Sequence, residues 1–337
     1  MRLTDFDYEL PAERIAQVPI EPRDASRLLV DRGSAEPDHR HVRDLPTLLG
    51  DGDLLVVNDT KVIPARLRLQ RHSGGVAEVL LLEPLSADRR TWEAMVRPAR
   101  KLRIGERLVD SSGAELVEVG RRTASGDTWT VTIVADGDAL ALLQRHGEMP
   151  LPPYIAVGLG QPDRYQTVYA NEPGSAAAPT AGLHFTPELL ADVTAKGIEI
   201  ARVELVVGLD TFKPVTADDP GRHVMHSERY SVTPDVMRQC RQARRVVAVG
   251  TTTVRALESA AALDQLEGRT RLFITRPFDW QVVDIMMTNF HLPRTTLLMM
   301  IDAFVGDRWR RLYDVAIAEG YRFLSFGDAM LLDRRAM

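Results

Sequence analysis

Four short stretches of the 337-residue chain concentrate the groups that acid–base and anion-binding chemistry use. The first is Ala178-Pro179-Thr180-Ala181-Gly182-Leu183-His184-Phe185. It precedes Thr186-Pro187-Glu188, which reads as an N-cap, a proline at the first helical position and an acid in the first turn. Its small residues, Gly182 among them, permit close backbone approach to a ligand, and His184 stands beside the positive end of that helix. The alternative is a tight turn with a histidine satisfied by backbone. The second stretch is Gly208-Leu209-Asp210-Thr211-Phe212-Lys213-Pro214, followed by His223-Val224-Met225-His226-Ser227-Glu228. In an extended segment His226 and Glu228 point to one side, pairing an imidazole with a carboxylate that tunes its pKa. Plain surface charge is the competing reading.

The third stretch is Val249-Gly250-Thr251-Thr252-Thr253-Val254-Arg255, where an apolar strand runs into glycine and three hydroxyls at a helix start. Backbone N–H groups there suit a carboxylate or phosphate, with Arg255 and Glu258 on the first turns. One threonine is an ordinary cap; three in a row behind glycine favour a ligand loop. The fourth, Thr288-Asn289-Phe290-His291-Leu292-Pro293, again sets a histidine just ahead of a helix.

Two classes of function fit these groups. His184, His226 and His291 with Glu228 suit a zinc-like ion in a hydrolase, although no His-Glu-x-x-His helix is present and His223-x-x-His226 is a weak spacing signal. The same groups suit a metal-free transferase that moves protons and orients a substrate. The P-loop, the Gly-x-Ser-x-Gly elbow and the Gly-x-Gly-x-x-Gly fingerprint are all missing, which removes the commonest nucleotide enzymes. The single cysteine, Cys240, excludes an internal disulfide framework and a Cys-rich zinc site. Set among Arg238, Arg241, Arg244 and Arg245, it reads as a packed or surface thiol.

The elements that must hold these loops alternate. Asp53 to Val57 is a fully apolar strand, Glu199 to Val207 another, and Val246 to Val249 a third that leads into a helix ending near Ala262. Strands are expected at Arg271 to Thr275, Val282 to Met287 and Arg322 to Phe326, with helices at about Thr295 to Phe304 and Trp309 to Ala318. This is α/β alternation with a mainly parallel sheet and helical cover. Ligands then bind beyond the carboxyl ends of the strands, where the four stretches fall. Between Val62 and Val134 the character changes to short β-rich runs with glycine turns, as in a small antiparallel barrel or sandwich. The Pro-rich Met149-Pro150-Leu151-Pro152-Pro153 begins a linker or lid.

A net charge of −5 argues against a generic, salt-dependent nucleic-acid binder without excluding a local basic face. Two arginine-rich runs, 89 to 107 and 238 to 245, are read as solvated surface. No apolar run approaches the roughly 18 to 20 residues of a membrane helix, and the start lacks the apolar segment of a signal peptide. A cytoplasmic location without membrane contact is the expectation.

Taken together, the segments resemble one family. Asp5 to Pro11, Asn58-Asp59-Thr60-Lys61-Val62-Ile63-Pro64-Ala65-Arg66, Pro150 to Ile155 and Tyr165-Gln166-Thr167-Val168-Tyr169 carry the likeness. So do Ala178 to Phe185, Met225-His226-Ser227-Glu228, Val249 to Ser259, Thr288 to Pro293 and Tyr321 to Met330. The family is the S-adenosylmethionine:tRNA ribosyltransferase-isomerases of queuosine biosynthesis, the QueA family. The resemblance implies an α/β domain of residues 1–60 and 150–337 with a β-barrel domain inserted at 61–149. It implies S-adenosylmethionine consumed as a ribosyl donor, with no cofactor and no metal. The acceptor it implies is 7-aminomethyl-7-deazaguanine in a tRNA anticodon loop, with epoxyqueuosine, adenine and methionine as products and no obligate protein partner.

Within that resemblance His184, His226, Glu228 and His291 are the proton-transfer candidates. Tyr165, Tyr169 and Phe185 offer faces to a sulfonium cation. Gly250, Thr251 and Thr252 with Arg255 suit the methionine carboxylate, and Thr180, Gly182, Gly208, Asp210, Thr211 and Asn289 complete the expected substrate contacts. Two departures stand out: Asp210, in Gly208-Leu209-Asp210-Thr211-Phe212, where the family usually has a small residue, and Arg276-Pro277-Phe278 where it usually has a Pro-Gly-aromatic turn. They leave room for a paralogue acting on a free nucleobase or another small acceptor.

Overall fold

The computed structural model describes residues 2–124, 126–208, 220–223 and 225–336. A nine-stranded sheet organises the chain in the spatial order Glu267–Thr270, Glu228–Ser231, Glu199–Leu205, Asp53–Asn58, Arg245–Val249, Ile285–Asn289, Ala329–Asp333, Arg27–Val30 and Asp38–His41. The four strands from Glu199–Leu205 to Ile285–Asn289 are parallel to one another, and antiparallel pairs lie at both flanks. Asp53–Asn58 is apolar from Leu54 to Val57, because both faces are covered there. Leu54 and Val56 pack with the helices Thr251–Leu263 and Thr296–Val305, while Leu55 and Val57 face the opposite core beside Leu189 and Val193 of the helix Pro187–Ala195. Val246 and Ala248 divide from Val247 and Val249 in the same way.

Six antiparallel strands between Arg66 and Ile133 close into a barrel, sealed where Gln70 and Arg71 pair with Val109 and Leu108. The short strand Gly147–Glu148 adds to its edge at Leu67 and Arg66. Alternation does the sorting: Trp92, Ala94 and Val96 point inward from one strand and Trp129, Val131 and Ile133 from the next. Leu142 and Leu143 of the helix Ala139–His146 join that core.

Two expected strands lie elsewhere. Residues 322 to 328 form a tight loop, with Leu324 at φ 70° and the Asp328 carboxylate accepting the N–H groups of Arg27 and Arg322 at 2.9 and 2.8 Å. A Cβ at Gly327 would sit 2.5 Å from the carbonyl oxygen of Arg322, so the chain turns there and the strand begins at Ala329. Similarly, the strand expected at 271–275 runs instead from Glu267 to Thr270, where the Thr270 hydroxyl accepts the N–H of Leu272. Among the described residues no helix is long and apolar enough to cross a membrane.

One carboxylate pins the amino ends of the two central strands. Asp53, whose side chain is fully buried, accepts hydrogen bonds from Arg244, Arg245 and the Gly50 N–H. Burial pushes its pKa up, but the Arg245 hydrogen bond, the Gly50 N–H and the guanidinium charges outweigh it and hold it below the usual value. Its contribution is therefore complete above the unfolded-state pKa of about 4 and is lost as pH falls through the lower folded value. Asp53→Asn is expected to lower unfolding free energy by about 1 to 3 kcal/mol at pH 7, with the gap from wild type closing as pH falls below about 4. Urea titrations at pH 7 and pH 3 check this; an equal gap at both would contradict it.

Candidate active site

The parallel strands Glu199–Leu205, Arg245–Val249 and Ile285–Asn289 run out at one edge of the sheet into residues 206–208, Gly250 and Phe290–His291. A cleft opens there, partly open to solvent. This is where open α/β sheets hold ligands. Thr180, Glu228, Thr252, Arg255, Asn289 and His291 are among the groups that line it.

Gly250 turns the chain at φ 89° and ψ 152°, a conformation that only glycine adopts cheaply. Space is not what demands glycine, since an added Cβ would lie 3.6 Å from the Ala181 Cβ. Side-chain oxygens of Asp138, Thr186, Thr233 and Thr295 cap four other helices, whereas the helix Thr251–Leu263 has no side-chain cap at Gly250. Its first N–H groups, which lack intrahelical partners, therefore present partial positive charge at the cleft. The three threonines divide their work. Thr253 donates back to the Val249 carbonyl at 2.7 Å, while Thr251 and Thr252 line the cleft, and the buried Thr252 hydroxyl has no hydrogen-bond partner among the described residues.

The charged corner is Glu228 with Arg255. Both are buried, at 3% and 6% exposure, and Arg255 Nη1 donates to Glu228 Oε2. Glu228 Oε1 accepts the Gly208 N–H at 2.9 Å, so both carboxylate oxygens are used. On the neighbouring wall Thr180 Oγ1 donates to Asn289 Oδ1 at 2.9 Å, and Asn289 Nδ2 donates to the Leu324 carbonyl at 3.1 Å. That fixes which way the amide faces.

His291 is held at three points. Its N–H donates to the Tyr313 hydroxyl at 3.0 Å, its carbonyl accepts from Tyr8, and its Nε2 lies 3.0 Å from Thr288 Oγ1. Burial pushes its pKa down to about 3, so the ring is neutral at physiological pH. A group that resists protonation this strongly is a poor general base and a good fixed hydrogen-bonding group.

The remaining sequence candidates are spread out. Tyr165 lines the cleft, joined by Tyr154, Phe273 and Phe290. Tyr169 and Phe185 instead pack edge to face in the core, with ring centroids 6.2 Å apart. Gly182 serves that packing, because a Cβ there would meet the Tyr169 hydroxyl at 2.0 Å. His184 lies away from the cleft, with Nδ1 and Nε2 each 2.9 Å from a backbone carbonyl, those of Ala181 and Gly327. Burial holds its pKa below the ordinary value, while those carbonyls pull upward.

His226 and Glu228 both border a crevice between the sheet and the barrel, as their alternation implies. Their ionic partners differ, however: His226 Nε2 lies 3.7 Å from Asp127 of the barrel, and Glu228 turns to Arg255. Asp210 and Thr211 lie outside the described residues. Among the described residues no three of His, Cys, Asp and Glu gather as a metal site. Tyr154 and Ser325 are among the cleft residues that escaped the sequence reading. Tyr154 sits in the Pro-rich stretch read as a linker, where its hydroxyl meets Ser325 Oγ at 2.7 Å, and Ser325 sits in the loop read as a strand.

A family model described as "Queuosine biosynthesis protein" matches residues 3–332. A protein of Symbiobacterium thermophilum named S-adenosylmethionine:tRNA ribosyltransferase-isomerase is 52% identical to this chain, covering 98% of it and 100% of the relative. One of Rubrobacter xylanophilus with the same name is 51% identical, covering 98% of each. The crystal structure of S-adenosylmethionine tRNA ribosyltransferase from Thermotoga maritima matches with a TM-score of 0.55 at 39% identity, over 97% of this chain and 99% of that one.

The burial of His291 has a measurable consequence. Its imidazole resonances, assigned against His291→Asn, are expected to show no titration between pH 5 and 8. Because the unfolded ring titrates near 6.5, this residue's contribution to stability is complete above that pH and falls as pH drops toward 3. A His291 midpoint between pH 5 and 8 would contradict the neutral, buried ring.

Proposed function

The chain belongs to the queuosine biosynthesis protein family, and we accordingly propose that it is an S-adenosylmethionine:tRNA ribosyltransferase-isomerase. It transfers the ribosyl carbons of S-adenosylmethionine to the aminomethyl group of 7-aminomethyl-7-deazaguanine in a tRNA anticodon loop. The carbons are rearranged into the epoxycyclopentane of epoxyqueuosine, and adenine and methionine leave. Its substrate tRNA places it in the cytoplasm.

The observation that carries this reading is the composition of the cleft. Aromatic rings, Tyr154, Tyr165, Phe273 and Phe290, share it with one buried carboxylate–guanidinium pair and an uncapped helix start. A sulfonium nucleoside amino acid needs that mixture: a flat apolar purine, a cation that favours aromatic faces, and a carboxylate that favours N–H donors. Asn289, oriented by Thr180 and Leu324, and the neutral His291 are the groups we assign to holding the adenosine part. The sulfonium acidifies the adjacent ribose C5′ protons, so rearrangement begins with proton removal there, and the departing adenine takes up a proton.

Incubation of the protein with S-adenosylmethionine and a tRNA carrying the aminomethyl-deazaguanine tests the reading. Adenine release is expected in step with epoxyqueuosine in the RNA digest. An unmodified tRNA, under conditions where a relative of this family works, would contradict it.

A further inference from the structure

The Arg255 guanidinium is only half used. Nη1 is committed to Glu228, but Nε and Nη2 are buried and have no hydrogen-bond partner among the described residues. Buried guanidinium N–H groups are costly to leave unmatched, and the side chain as a whole is 7% exposed. The two unmatched nitrogens are not an arbitrary pair. Nε and Nη2 form one edge of the planar guanidinium, with parallel N–H bonds spaced to meet both oxygens of a carboxylate.

Elsewhere this chain uses that same edge for that purpose. Arg245 Nε and Nη2 grip Asp53 at 2.9 and 2.5 Å, and Arg276 Nε and Nη2 grip Asp302 at 2.6 and 2.5 Å. Arg71 holds Glu106 likewise at 2.5 and 3.1 Å. Arg255 also lines the cleft, where the uncapped helix start and the unpartnered Thr252 hydroxyl supply further donors.

We propose that the Nε–Nη2 edge of Arg255, with the helix start at Gly250 to Thr252, seats the α-carboxylate of the methionine part of the donor. Glu228 is then a positioning residue: it occupies Nη1 and turns the other edge of the guanidinium toward the ligand. This departs from the pairing of Glu228 with His226 for proton transfer. Glu228 already balances the Arg255 charge, so the incoming carboxylate is held by the two N–H donors of the fork and by the positive end of the helix dipole. It also fixes the direction of the donor, with the amino-acid end at Arg255 and the nucleoside toward Asn289 and His291.

The inference rests on the donor being S-adenosylmethionine, and the experiment separates the two. Binding of S-adenosylmethionine and of its decarboxylated analogue, which keeps the sulfonium, ammonium and adenosine but lacks the carboxylate, is measured by calorimetry on the full chain. Wild type is expected to prefer the carboxylate-bearing ligand by about 10- to 100-fold, the worth of a charge-assisted hydrogen-bond pair. In Arg255→Lys, which keeps the charge but not the fork, the preference is expected to shrink to a few-fold while both ligands still bind. Equal binding of the two ligands by wild type would overturn the carboxylate seat and leave the donor reading intact. Binding of neither would overturn the donor reading and the inference with it. A full preference retained in folded Arg255→Lys would overturn Arg255 as the partner. The wild-type comparison needs no variant, so it stands even if the substitution unfolds the chain.

Discussion

A carboxylate and a guanidinium taken out of water lose more hydration than their mutual attraction returns unless the geometry is good and the remaining donors and acceptors are matched. Glu228 and Arg255 meet that demand only in this fold. Glu228 opens a strand on one flank of the sheet, and Arg255 sits on the second turn of the helix that follows a central strand. They reach each other only if Glu199–Leu205 and Arg245–Val249 both pair with Asp53–Asn58 in the observed register. Removing either charge would strand the other, and replacement of one partner of such a buried pair typically costs about 3 to 5 kcal/mol. The floor of the cleft depends on this contact, because it fixes the Arg255 fork beside the helix start and ties Gly208 to the end of its strand.

The two ends of the parallel strands do different work. At the amino ends, Asp53 and Asp284 bind arginines that are partly exposed: Arg244 and Arg245 on one, Arg334 and Arg335 on the other. Asp284 also accepts the N–H of Val246 at 3.0 Å, joining neighbouring strands. Charge is matched there and the groups are satisfied. At the carboxyl ends the matching is left incomplete, with half a guanidinium, a threonine hydroxyl and a helix start unpaired among the described residues. Tyr169, Arg308 and Arg322 also carry buried unmatched atoms, but at this cleft three such atoms, on Thr252 and Arg255, share one space with a helix start, and buried polar groups are nearly always satisfied, so the cluster marks where an outside molecule completes them. Glu258 links the two ends: its carboxylate accepts the N–H groups of Gln281, Val282 and Val283, setting the chain that leads into Ile285–Asn289 and on to His291.

Much of this was legible in the sequence because the signals were local. Apolar runs such as Leu54 to Val57 announce strands covered on both faces, and the alternation from Trp129 to Ile133 announces a barrel wall. The Gly250 turn was legible for the same reason, a strand, a glycine and hydroxyls in immediate succession. What escaped depends on contacts distant in sequence. Whether His184 faces a ligand or the interior is decided by the Gly327 carbonyl, 143 residues away. Tyr169 and Phe185 are apolar and aromatic whether they line a core or a cleft, and only packing against Gly182 tells them apart. The partner of Glu228 is Arg255, 27 residues on, rather than the near neighbour His226. The loop from 322 to 328 read as a strand because Phe323, Leu324 and Phe326 are apolar, yet they are buried in a turn stabilised by Asp328.

The most direct measurement is a crystal structure of the full chain with S-adenosylhomocysteine, which cannot react by the sulfonium route. Its carboxylate is expected against the Nε–Nη2 edge of Arg255 and the N–H groups after Gly250, with the adenosine lying toward Asn289 and His291. A ligand in the crevice between sheet and barrel, or one in the cleft with its carboxylate turned away from Arg255, would contradict the placement of the site on the incompletely matched strand ends.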